Sequence, residues 1–228
     1  MDTWIELRNV GKWYSSGKPI LEQIDLTVLR GQCLAIRGRN GSGKSTLLKI
    51  IAGISGPSAG VIGRAPNLAV GYAPEQFPKV RFRAEEYLTH LGRMRRMPRQ
   101  ELHSRIRELM ELFQMHSAGP ITHFSKGMTQ KVNLMQAVLA RPDVLVLDEP
   151  LSGLDAASQA EFVRLILRFK QEGAAIIMTG HEPGFADAWA DRTMVIEHGR
   201  LKEMPVKEAG TSSGEEPSAW ISDQWGVN

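Results

Sequence analysis

Between residues 33 and 51 the chain runs from CLAIR through GRNGSGKS into TLLKII. A five-residue apolar run, glycines at 38, 41 and 43, and then Leu47, Leu48, Ile50 and Ile51 at helical spacing leave few folds open. The order is strand, tight loop, helix. Gly38 and Gly43 enclose four residues and are followed by Lys44 and Ser45, which is the G-x-x-x-x-G-K-[ST] spacing. Glycines let such a loop close on itself, so that successive backbone N–H groups converge and the next helix adds the positive end of its dipole. The ligand this suits is a chain of phosphates. Gly38, Arg39, Asn40, Gly41, Ser42, Gly43, Lys44, Ser45 and Thr46 are therefore candidate ATP-binding residues. Lys44 would neutralise the β- and γ-phosphates, and the Ser45 hydroxyl would reach Mg²⁺.

The rest of the chain fits around that unit. Ile24, Leu26 and Val28 alternate with Gln23, Asp25 and Thr27, the period of a half-buried strand. GISGPSAGVIG is rich in turn residues, and NLAVGYAPEQF reads as a strand entering a Pro-marked loop. From about Arg83 to Ala140 the pattern is helical, with Leu102, Ile106, Leu109 and Phe113 on one face and a break at HSAGPITHFSKG. Then VLVLD reads as strand, AASQAEFVRLILRFKQEG as helix, AAIIMTG as strand and PGFADAWA as a short helix. RTMVIEHGRLKEM reads as a hairpin turning at His198-Gly199. Strand–helix alternation implies a largely parallel sheet covered on both faces. The expected fold is α/β: a P-loop NTPase core with a mainly parallel sheet, an N-terminal antiparallel β subdomain and an inserted α-helical subdomain. Its expected bounds are 1–204, with the insertion at about 77–140. Residues 205–228, rich in Gly, Ser, Pro and Glu, read as a loose tail.

Three further segments carry chemistry. VLVLDE is an apolar strand ending in two carboxylates. Asp148 is placed to hold Mg²⁺ through its water shell, and Glu149 to polarise the water that attacks the γ-phosphate. IIMTGH puts His181 just past another apolar strand. Ligands of open parallel sheets bind at the carboxyl ends of the strands, so His181 is read as a γ-phosphate contact. FSKGMTQKVN places Ser125 and Gly127 before an amphipathic run of Met128, Val132, Met135 and Leu139. That helix start is a second candidate anion site.

The phosphate loop, FSKGMTQ, VLVLDEP, SGLD and His181 stand in the order and spacing of an ABC-transporter ATP-binding subunit, and the resemblance covers roughly residues 4 to 204. FSKGM occupies the place of the family signature, usually written LSGGQ, with Lys126 and Met128 replacing the usual Gly and Gln. The resemblance implies that two subunits dock head to tail, the Ser125–Gly127 signature of each closing over the ATP of the other. It also implies that an aromatic ring stacks on adenine, which places Tyr14 or its neighbour Trp13 in that role. The loop joining the two sites would be Ser152 to Asp155, with Asp155 a good N-cap for the next helix. The family's Mg²⁺-sensing glutamine aligns with Glu75 in GYAPEQF, with Gln76 one place later, and either remains a candidate. The SKGM form resembles an exporter branch that pairs with small six-helix permeases. The partners implied are transmembrane permease subunits and a second ATP-binding subunit, either a copy of this chain or a different one.

Composition narrows the rivals. A formal charge of +3 gives little support for nucleic-acid binding. A single cysteine, Cys33, precludes an internal disulfide and suits a reducing cytosol. The opening MDTWIELRNV does not read as a signal peptide, and no apolar run reaches the ~18 residues of a spanning helix. The expected location is cytoplasmic, on the inner face of the membrane through permease subunits. The chain is expected to have no room for the regulatory domain of some sugar importers. The basic group Arg93, Arg95, Arg96 and Arg99 reads either as a solvated face or as a surface near lipid headgroups or a permease loop. The alternative function is a soluble ABC ATPase working on ribosomes or DNA, but neither a second cassette nor a long coiled-coil insertion is present. A plain P-loop kinase would not explain the signature or SGLD.

Overall fold

The computed structural model describes residues 3–14, 17–116, 119–180 and 189–204. Strands β1 (Thr3–Trp13), β2 (Pro19–Leu29) and β4 (Ala59–Arg64) form an antiparallel sheet in the order β2-β1-β4. In β2 the alternation holds: Ile24, Leu26 and Val28 are buried. β4 falls in the stretch that reads as turn residues. It is an edge strand paired only with β1 and mostly exposed, so it carries no buried apolar face to mark it.

The second sheet has the order β5-β6-β7-β3-β8-β9. β5 (Val70–Ala73), β6 (Val144–Leu147), β7 (Ala175–Gly180), β3 (Cys33–Arg37) and β8 (Arg192–Glu197) are mutually parallel. β9 (Arg200–Glu203) closes the edge antiparallel to β8, through a turn at His198 (φ 50°) and Gly199 (φ 76°). Two consecutive left-handed residues match the twist of a two-residue hairpin. The Gly199 carbonyl accepts the Glu22 N–H at 2.7 Å, tying this hairpin to the antiparallel sheet.

Because the central strands are covered on both sides, they read as continuous apolar runs, and their alternation divides the interior in two. Leu34, Ile36, Val144, Val146, Ala175 and Ile177 face a core shared with the antiparallel sheet and helix α1 (Lys44–Ile51). Cys33, Ala35, Leu145, Leu147, Ile176 and Met178 face the other core. That second core is covered by α2 (Ala84–Met94), α3 (Arg99–Leu112), α4 (Lys126–Val138) and α5 (Ala156–Gln171). Leu102, Ile106 and Leu109 on α3, and Phe113 just beyond it, are all buried. α4 departs from a simple amphipathic helix: Gln130, Asn133 and Gln136 are buried as well as its apolar residues. No helix among the described residues is long and apolar enough to cross a membrane. The expected short helix at PGFADAWA lies mostly outside the described residues, and the tail at 205–228 wholly so.

Candidate functional site

The loop after β3 reaches α1 through Gly43, whose φ of 105° favours glycine. A Cβ there would also stand 2.9 Å from the Leu21 side chain, so the loop lies tight against β2. α1 starts with no capping side chain and no acidic residue in its first turn, leaving its amide end open to an anion. Lys44 is only 5 % exposed and folds back over the loop. Its Nζ donates to the carbonyls of Gly38 (2.9 Å) and Arg39 (3.3 Å) and lies 3.1 Å from Glu149 Oε1. Ser42 Oγ is buried in the same loop with no hydrogen-bond partner in the protein. A buried hydroxyl without a partner costs free energy, and a phosphate oxygen held by the loop would satisfy it. Ser45 and Thr46 are partly buried at the helix start, and Arg39, Asn40 and Gly41 are at or near the surface.

β6, next to β7 and thus one strand removed from β3, delivers the acidic pair. The Asp148 N–H donates to the Ala73 carbonyl at 2.9 Å, extending the pairing with β5 by one residue. Asp148 is 2 % exposed, and its Oδ1 accepts the Thr179 hydroxyl at 2.9 Å. Its Oδ2 lies 3.5 Å from the Tyr72 hydroxyl. Burial, then the Asp148 charge and hydrogen bond, and then Glu75, push the Tyr72 phenol well above its usual pKa, so it stays a neutral donor. Glu149 has φ 46°, uncommon for a residue with a side chain, and its N–H donates to Thr179 Oγ1 at 2.8 Å. The twist turns its carboxylate toward Lys44. Lys44, Asp148 and Glu149 thus meet at the carboxyl edge of the parallel sheet.

Elsewhere the candidates are placed as follows. Glu75 and Gln76 are both exposed beyond β5, and the Pro74 carbonyl before them accepts Asn133 Nδ2 at 2.7 Å. Tyr14 is 51 % exposed with Lys12 Nζ 5.1 Å from its ring centroid, while Trp13 is 44 % exposed and pairs with Pro19 across the hairpin. Ser125 is the N-cap of α4, its Oγ accepting the Met128 N–H at 3.2 Å. The first turn of α4 has no acidic residue; Ser125 and Lys126 are exposed and Gly127 is partly buried. The Lys126 ammonium covers the space a Cβ would take at Gly153. Asp155 caps α5 by accepting the Ser158 N–H and hydroxyl, each at 2.9 Å, and these bonds lower its carboxyl pKa. His181 lies outside the described residues. Thr179 and Tyr72 are the residues that sequence reasoning missed. The signal for Thr179 was a hydroxyl in an otherwise apolar run, AIIMTG.

Among the described residues no three carboxylate, imidazole or thiol groups cluster closely enough to hold a metal. Mg²⁺ needs no such cluster, being bound by one or two protein groups together with phosphate oxygens and water. The fold and this edge define a P-loop nucleotide triphosphatase.

A sequence model of the family described as ABC transporter matches residues 21–152. A zinc import ATP-binding protein, ZnuC of Halorhodospira halophila, is 32% identical over 88% of this chain and 76% of its own length. The aliphatic sulfonates import ATP-binding protein SsuB of Mycobacterium avium is 35% identical over 92% of this chain and 84% of its own. The Nod factor export ATP-binding protein I of Sinorhizobium fredii is 32% identical over 87% of this chain and 62% of its own. Among solved structures, the ATP-binding subunit of an ABC transporter superposes with a TM-score of 0.78 at 26% identity, covering 98% of this chain and 94% of that one. The chain belongs to the ABC transporter family, as an ATP-binding subunit. It is an ATPase that uses ATP and Mg²⁺.

Proposed function

We propose that this subunit energises its transporter by ATP-driven head-to-tail dimerisation. One observation carries the reading: the chain has two helix starts suited to phosphate. The first is completed by Lys44, and the second, at Ser125, faces solvent with no acidic residue in its first turn. Ser125 and Gly127 then serve the nucleotide of a second ATP-binding subunit. Lys44 turns from Glu149 to the β- and γ-phosphates, and the amides of residues 38–46 wrap them. Ser45 and Asp148 would hold Mg²⁺, with Glu75 or Gln76 near it. The metal supplies charge neutralisation at the transferred phosphoryl group. Glu149 polarises the attacking water, His181 contacts the γ-phosphate, and Tyr14 or Trp13 stacks on the adenine. Residues 1–204 are the ATP-binding unit, and the helices within 77–140 transmit closure to permease subunits. The subunit sits peripherally on the cytoplasmic face of the membrane and needs no nucleic acid.

We read the direction of transport as export, on the FSKGM signature; the import proteins among the relatives favour the opposite direction at similar identity. Proteoliposomes of the full complex decide it, according to which side accumulates cargo when ATP is supplied to this subunit.

Dimerisation is tested by size-exclusion chromatography with light scattering. Glu149→Gln keeps the side chain's shape but removes the base, so Mg-ATP should hold two chains together. Adding Ser125→Arg should abolish that dimer while each monomer still binds nucleotide. A Glu149→Gln dimer indifferent to Ser125→Arg would sink the shared-site reading. Absence of a dimer in both cases would be less decisive, since pairing with a different ATP-binding chain gives the same result.

A further inference from the structure

The hydroxyl of Thr179 is fully buried at the end of β7 and makes two bonds into the site. It donates to Asp148 Oδ1 at 2.9 Å and accepts the Glu149 N–H at 2.8 Å. The proton of the hydroxyl is not free to choose. A backbone N–H can only donate and an ionised carboxylate can only accept, so the hydroxyl hydrogen must point at Asp148. Parallel pairing of Leu147 with Met178 sets the two strands in register, which brings Thr179 level with Asp148.

Each bond fixes something the chemistry needs. The bond to Oδ1 locks the rotation of the Asp148 carboxylate, with Tyr72 bounding it on the Oδ2 side. The bond from the Glu149 N–H anchors a backbone at φ 46°, a conformation that costs a residue with a side chain and persists only where neighbours hold it. That twist is what aims Glu149 at Lys44, 3.1 Å away. We infer that Thr179 is a positioning residue, one hydroxyl setting the orientation of both the metal-facing carboxylate and the water-polarising one. The inference rests on the roles proposed above for Asp148 and Glu149.

Partners one shell removed from a metal ligand change affinity or activity by about ten- to a hundredfold when lost. Thr179→Val keeps the shape and deletes the oxygen. In the full chain, Mn²⁺ binding in the presence of ADP, followed by electron paramagnetic resonance, should weaken by about that factor. Thr179→Ser, which keeps the hydroxyl, should stay close to the parent protein. ADP binding in EDTA should change far less than Mn²⁺ binding, because the two bonds of the Thr179 hydroxyl go to Asp148 and Glu149 and not to the phosphate loop. If Thr179→Val fails to fold, Thr179→Ala carries the same comparison with Thr179→Ser. Mn²⁺ affinity indifferent to loss of the hydroxyl would overturn the inference. So would equal loss of metal-bound and metal-free ADP, the mark of a general structural role. Asp148→Asn separates the two levels: if it too leaves Mn²⁺ affinity unchanged, the reading of Asp148 itself fails.

Discussion

At Lys44 three oxygens share one ammonium: the carbonyls of Gly38 and Arg39 and the Glu149 carboxylate. Nucleotide must draw the ammonium away from the carboxylate to engage it. Lys44→Ala removes the fixed charge assigned to the phosphates, worth on the order of 2–3 kcal/mol, or ~30–150-fold in affinity. Titration of a fluorescent ATP analogue checks this in a variant shown by circular dichroism to be folded; unchanged affinity would take Lys44 out of the site. Glu149→Gln acts in the other direction on ADP. It removes the competing charge while the two carbonyls keep the ammonium partnered, so ADP should bind more tightly, by on the order of 1 kcal/mol or ~5-fold. Calorimetry with ADP, which leaves hydrolysis out, reads this directly, and weaker binding would show that the pair does not compete with ligand.

At the scale of elements, α4 joins the site to the helices above it. Gln130, Asn133 and Gln136 recur every three residues along it, and all are buried. Asn133 Nδ2 donates to the Pro74 carbonyl at 2.7 Å and to Gln130 Oε1 at 3.1 Å, and Gln136 Nε2 donates to Asn133 Oδ1 at 2.7 Å. The Tyr87 hydroxyl on α2 completes the chain at Gln136 Oε1. Asn133→Leu keeps the branched outline but strands the Pro74 carbonyl, the Gln130 amide oxygen and the Gln136 amide N–H, at about 1–3 kcal/mol for each buried group. Chemical denaturation should show that loss, and a neutral result would mean water replaces the side chain. Periodicity found this helix and its Met128, Val132, Met135 and Leu139 stripe, but it says nothing of the burial of Gln130, Asn133 and Gln136. Hydrogen-bond satisfaction depends on Pro74 and Tyr87, 59 and 49 residues away, which no local pattern encodes. Thr179 was hidden in the same way, since its partners Asp148 and Glu149 lie 31 and 30 residues away, just past the end of another strand. Lys44, Asp148 and Glu149 were legible because their spacing is confined to single loops and strand ends. β4 was not, because an exposed edge strand leaves only its turn residues to read.

For the whole molecule, the central sheet is a shared wall. Leu145 and Ile177 sit on neighbouring strands, are both fully buried, and point into opposite cores. Neither core can come apart without baring the back of the other, so unfolding should be a single step. Leu145→Ala and Ile177→Ala should each cost about 2–5 kcal/mol, and each should lower the same transition. Tryptophan fluorescence and circular dichroism followed together through a urea titration check this; separate midpoints would mean the layers fold independently. The ion pair between Lys44 and Glu149 has a consequence for the working cycle. At the sheet's edge these opposite charges lie 3.1 Å apart and neutralise each other. A nucleotide that takes the ammonium would therefore break this pair in the same movement.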